Sequence, residues 1–162
     1  MAERKDYEEC IEKGNLIETG IADEGRAKEL LNLTKHRESF WEELEEDAAK
    51  EYAKKYPSLF LEAYYEIVKE LLTAITCLDG WKATNHECLF AYIKKNYKDK
   101  LEMDLDFLLL LKDLRNDIDY RGARVGSEKW ENNKLRIRTE IKALKDYIKE
   151  RLNKEGKEEE KE

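Results

Sequence analysis

The sequence contains no glutamine, a single proline (Pro57), two histidines (His36 and His86) and three cysteines (Cys10, Cys77 and Cys88). Each shortage excludes something. Two imidazoles in one chain are too few for a multi-histidine metal site. The cysteines are odd in number, far apart and without a Cys-x-x-Cys pair. Neither a disulfide framework nor a zinc site built on paired thiolates is expected from such a set. Each cysteine reads instead as a small buried hydrophobe within a helix. No metal and no cofactor are expected. Glycine-rich phosphate loops and serine-nucleophile elbows are missing as well. The chain opens on densely charged residues and has no apolar run of about 18 residues. A signal peptide and a membrane span are therefore not expected, and a cytoplasmic location is.

Charge is what the sequence has in abundance. Lys, Arg, Asp and Glu make up 43% of the 162 residues, with a net charge of −7. An ion-pair-rich, amide-poor composition of this kind is expected of a thermophile protein. The acidic balance argues against broad nonspecific nucleic-acid binding, yet leaves room for a local basic site.

The length suits one domain. Strand signals are nearly absent, whereas helical spacing recurs along the chain. A short helix over about 4–13 and a glycine-rich connector form an accessory segment, residues 1–25. Asp23 is a good N-cap for a first long helix reaching about residue 55. Pro57 and Ser58 restart the chain, since proline suits a first helical turn. The next helix, 59–78, has a wide apolar face that predicts burial against more than one neighbour, and Gly80 is available for a left-handed cap. Thr84 and Glu87 have capping-box spacing for a third helix, Asp104 caps the fourth and Ser127 the last. Trp130, Lys134, Ile137, Ile141, Leu144 and Ile148 form a three-four seam in that last helix. Residues 153–162 contain no apolar side chain and are expected to be a disordered tail. The fold class is all-α: an up-and-down bundle of four to five main helices over residues 26–152, with the accessory helix in front.

In the fourth helix Phe107, Leu108, Leu109, Leu110 and Leu111 are consecutive and cover every side. Part of that surface is expected to face a second subunit, giving a homodimer. The same helix ends in Arg115-Asn116-Asp117-Ile118-Asp119-Tyr120-Arg121-Gly122. Arg115 and Asp119 are four apart and can pair, while Asn116 and Tyr120 share the adjacent face. From Lys112 to Arg138 eight basic residues stand against five acidic ones, so the region is locally cationic and suited to phosphate.

These residues resemble the HEPN family, helical-bundle domains whose fourth helix carries Arg, a polar residue, and then His four to six positions after the Arg. The likeness extends to Phe60-Leu61-Glu62-Ala63-Tyr64, Leu78-Asp79-Gly80-Trp81-Lys82 and Asn85-His86-Glu87-Cys88-Leu89, which look like archaeal members. The resemblance implies a dimer cleft lined by Arg115, Asn116 and Tyr120 as catalytic-position residues, with Arg115, Arg121 and Arg124 holding phosphate. It also implies an RNA or nucleotide ligand, a toxin–antitoxin, defence or stress setting, and a nucleotidyltransferase-like partner. Position 120 holds tyrosine where the family has histidine. A phenol with a pKa of about 10 is ionised in only ~0.1% of molecules at pH 7, so a noncatalytic or weakly catalytic RNA-binding domain is the preferred expectation. Two others stand beside it: a metal-independent endoribonuclease with Tyr120 in place of histidine, and a structural protein–protein interaction module. His86 is expected to cap or decorate its helix, and Trp41, Tyr64, Tyr65, Trp81 and Tyr92 to serve packing.

Overall fold

The computed structural model describes residues 6–100, 103–122 and 124–161, with the backbone alone for 119–121, 155 and 159. Its central element is α4 (Pro57–Leu78), which starts on the lone proline. Phe60, Tyr64, Tyr65, Ile67, Val68, Leu71, Leu72 and Ile75 of α4 are all buried. Fully burying such side chains contributes about 1.5–3 kcal/mol each. The face is wide because it serves four neighbours: α2 (Glu24–Glu46), α5 (His86–Tyr97), α6 (Leu105–Arg121) and α7 (Ser127–Glu159). The architecture is an all-α helical bundle, preceded by the short α1 (Tyr7–Glu12). None of the helices described is long and apolar enough to cross a membrane.

Several helix starts follow local chemistry. Asp23 accepts from the Arg26 N–H at 2.9 Å and Asp104 from the Phe107 N–H at 3.0 Å. Gly80 takes the left-handed conformation at φ +73°, and a Cβ there would lie 3.3 Å from the Ile21 backbone. Two caps differ from expectation. Asn85, not Thr84, caps α5 by accepting from the Cys88 N–H, because the Thr84 hydroxyl donates to Asn15 Oδ1 instead. Gly126 occupies the cap position of α7, and Ser127 is already helical.

Other departures have physical causes. The first long helix stops at Glu46, not near residue 55. Asp47 there accepts from the Lys50 N–H at 3.2 Å, a local bond that competes with the helical ladder. Glu51 adopts φ +51° before the single turn α3 (Tyr52–Lys55). The glycine-rich connector carries β1 (Leu16–Glu18), which pairs antiparallel with β2 (Trp81–Ala83) in the register Leu16↔Ala83. Three-residue strands are too short to carry an alternation signal. The tail expected to be disordered is helical through Glu159. Lys and Glu favour helix, and Lys154 pairs with Glu150 at 2.7 Å one turn earlier.

The cysteine expectation is overturned for two of the three. Cys10 of α1 and Cys88 of α5 form a disulfide, their Cα atoms 5.6 Å apart, while Cys77 is free. The scattered spacing concealed the pair because α1 folds back onto α5. Cysteine usage therefore gives no argument for a reducing compartment.

Phe107, Leu108, Leu109 and Leu111 are buried within the chain, under α4 and its neighbours, and only Leu110 is 59% exposed. The case for a second subunit from this leucine run thus narrows to Leu110.

Two polar assemblies tie the helices together. Asp79, at the end of α4, accepts from the hydroxyls of Tyr92 and Tyr97 and pairs with Arg151 at 2.7 Å, and Arg151 also donates to the Leu78 carbonyl. In the middle of α7 Glu140 is buried and accepts from the Asp104 N–H. Burial, with the Asp104 charge adding, raises the Glu140 carboxyl above its ordinary pKa. The folded state therefore keeps this proton to higher pH than the unfolded chain, and stability falls as pH rises from the ordinary value through the folded one. Glu140→Gln keeps an acceptor without the charge. Thermal melts should show the variant more stable than wild type at pH 7, with the difference gone below about pH 4. A variant less stable at pH 7 would contradict this sign.

Candidate functional site

Where α4, α5 and α6 meet, their polar side chains converge. Arg115 of α6 is held with its guanidinium carbon 5.6 Å from the centre of the Tyr65 ring, a cation–π distance. It also reaches Glu66 of α4 at 3.8 Å, a long contact, while Lys69 holds the same glutamate at 2.5 Å. Local geometry explains the α4 contribution: Tyr65 faces the core and the next residues along, Glu66 and Lys69, sit at its edge.

His86, the first residue of α5, turns its ring toward Tyr65. The Tyr65 hydroxyl and His86 Nδ1 share a hydrogen bond of 3.2 Å, with ring centres 5.9 Å apart. Half-burial lowers the His86 pKa from its usual value, and the Lys69 and Arg115 charges act in the same direction against Glu66 and Glu87. The imidazole is therefore neutral at pH 7. In the tautomer whose Nδ1–H donates to Tyr65, the Nε2 lone pair is available to take a proton. One residue on, Glu87 accepts from Lys112 of α6 at 2.8 Å, and that buried ammonium lies 5.7 Å from the Phe90 ring centre. The cluster sets three cations, Lys69, Lys112 and Arg115, against two carboxylates and a neutral histidine. Among the described contacts, that of Arg115 with Glu66 is the longest, and an anion could take the place of the glutamate there.

The residues expected from the sequence fare unequally. Arg115 and Asn116 are half-buried at the junction of α6 with its neighbours. Tyr120 and Arg121 lie in the last turn of α6, where their side chains, and that of Asp119, are outside the described ones. Arg124 is exposed on the connector to α7. His86 is not a cap, as expected, since Asn85 has that role. Tyr65, expected to serve packing alone, is the group that joins His86 to Arg115. The sequence did hold a signal for His86, as one of only two histidines, beside an N-cap. Its distance to Arg115 was not legible. Among the described residues no group of three His, Cys, Asp or Glu side chains is placed to hold a metal ion.

Compared with protein-family models, curated proteins and solved structures, the chain finds no match.

Proposed function

We propose that this chain binds RNA or nucleotide phosphate at the α4–α5–α6 cluster, with Arg115 as the phosphate-holding cation and His86 and Tyr65 beside it. One observation carries the reading: an arginine and a neutral histidine, from different helices, share one tyrosine. Planar bidentate donors suit a phosphate, and imidazole suits proton transfer near neutrality. The histidine missing at position 120 is thus supplied from α5. The homodimer, the toxin–antitoxin, defence or stress setting and the nucleotidyltransferase-like partner remain with the HEPN resemblance. The phosphate-holding roles of Arg121 and Arg124 rest on the same resemblance.

A metal-independent endoribonuclease is the second reading, favoured by the placement of His86 and Arg115 on the same tyrosine, with His86 rather than Tyr120 as the base. In that step His86 Nε2 takes the ribose 2′-hydroxyl proton and the oxygen attacks the adjacent phosphorus. The bond to O5′ breaks, leaving a cyclic phosphate, and O5′ takes a proton from water.

The test is titration of a labelled single-stranded RNA at two salt concentrations, with cleavage followed in the presence of a chelator. Arg115→Ala should weaken binding about tenfold or more, a change of about 1.4 kcal/mol. His86→Ala should abolish any cleavage while binding persists. Absence of RNA binding, or an Arg115→Ala variant that binds as well as wild type, would sink the reading in favour of an interaction module.

A further inference from the structure

A groove of about 500 Å³ lies between α1, α5 and α6, within the range of small-molecule and cofactor sites. Its position relative to the cluster just described follows from how α6 returns along α5. Glu87 at the start of α5 meets Lys112 in the middle of α6, whereas Lys94 and Lys98 near the end of α5 lie across from Leu105 and Leu109 at the start of α6. The two helices therefore run side by side from Glu87 and Lys112 to Lys98 and Leu105. His86 and Arg115 stand at one end, and the groove opens from Glu87 and Lys112 onward. Lys112 and Arg115 are three residues apart on α6, a rise of about 4.5 Å.

The lining of the groove narrows its ligand. Phe90, Ala91 and Leu109 give it an apolar floor. Lys94, Lys95 and Lys98 line it and make no ion pair among the described residues, with the Lys95 ammonium 6.0 Å from the centre of the Tyr7 ring. Asp6, Glu8 and Asp99 stand on the rim. A fatty acid would satisfy the floor and the lysines, but its chain would offer nothing to three carboxylates. A polyanion without donors would be repelled by them. A ligand with a flat ring, hydroxyl and amino donors and a phosphate satisfies all three parts at once. Of common chemistries, a nucleotide unit has that combination.

We propose that the groove is a nucleotide subsite in line with Arg115, taking the sugar and base of an RNA strand while Lys94, Lys95 and Lys98 hold the phosphate that follows. This rests on the phosphate reading of the Arg115 cluster and extends it to a strand running along the α5–α6 seam. The lysines lie near the C-terminal end of α5, where they also offset the helix dipole. Their use as phosphate donors adds to that role without disturbing it.

The experiment uses the full chain with two probes, adenosine 5′-monophosphate by calorimetry and a labelled hexa-adenylate by anisotropy. Ala91→Trp fills the groove, and the paired change Lys94→Glu with Lys98→Glu reverses the charge of its lining. Since these lysines are exposed, the charge-reversal variant keeps the test open should the tryptophan disturb folding. Both variants should weaken mononucleotide binding tenfold or more, and Arg115→Ala should weaken it by a smaller factor. All three should weaken the hexamer. Neutral Lys94→Ala and Lys98→Ala together should lower the salt slope of hexamer binding by about 2. Wild type that fails to bind the mononucleotide, or groove variants that bind it as wild type does, would overturn the subsite. If the hexamer depends on Arg115 but not on the groove, the subsite falls and the phosphate reading stands. If both probes depend on the groove and neither on Arg115, the in-line arrangement is overturned together with the phosphate reading.

Discussion

Replacing Cys10 and Cys88 by serine lowers the unfolding free energy by about 4–5 kcal/mol in the chain-entropy account of disulfides. The value is large because the cysteines are separated by 78 residues, so the bond removes much of the freedom of the unfolded chain. For a domain of this length the loss corresponds to roughly 9–18 °C in Tm. Urea titrations of the oxidised protein, the reduced protein and the double serine variant would measure it. The reduced protein and the variant should agree, with a lower midpoint and a steeper slope, since the freed chain exposes more surface on unfolding. A midpoint insensitive to reductant would refute the assignment. The effect is also local. A helix of six residues is not stable in isolation, and α1 is held by this bond and by its packing on α5. Backbone amides of α1 should therefore lose hydrogen-exchange protection on reduction before those of α4. Because α1 supplies Tyr7 and part of the rim of the groove, reduction should also widen that opening.

Asp79→Ala should cost about 3 kcal/mol, the scale for breaking a paired, largely buried charge. Three groups depend on that carboxylate. The hydroxyls of Tyr92 and Tyr97 donate to one oxygen at 2.9 and 2.5 Å, and Arg151 donates to the other, while its second nitrogen bonds the Leu78 carbonyl. Alanine leaves a guanidinium and two hydroxyls without their acceptor. Arg151 keeps 24% of its side chain exposed, so water relieves part of the loss and the cost stays below that of a fully buried pair. Asp79→Asn retains one acceptor and should cost about half as much. Chemical denaturation of both variants measures this, and a loss under about 1 kcal/mol for alanine would show that the network adds little. A pH signature accompanies it. Burial and the Asp79 charge push the Tyr92 and Tyr97 phenols well above the ordinary tyrosine value. Their contribution is intact below about pH 10 and is lost as pH rises beyond it, because the unfolded chain ionises first. Tyrosinate absorbance of these two residues should appear together with alkaline unfolding and not before it.

Much of the helical frame was legible because its signals are local. Asp23, Asp104 and Pro57 mark three starts, the broad face of α4 announced several neighbours, and the seam from Trp130 to Ile148 is buried along α7. Where local rules compete, the reading failed. Asp47 ended α2 early through a side-chain bond, and the charged tail stayed helical on propensity and ion pairs alone. The leucine run of α6 was taken as evidence of a partner, yet most of it is covered by the chain itself.

By itself the sequence determined that this chain is a helical bundle, and roughly where its long helices begin, because caps and three-four spacing act within one or two turns. It also supplied Arg115 and Asn116, whose neighbourhood in the helix is their neighbourhood in the chain. Tertiary structure alone decided that Cys10 meets Cys88, that Leu16 pairs with Ala83, and that His86 comes to Arg115 through Tyr65. Those partners are far apart in sequence, and which distant side chains meet depends on how the whole core packs. No local pattern carries that sum.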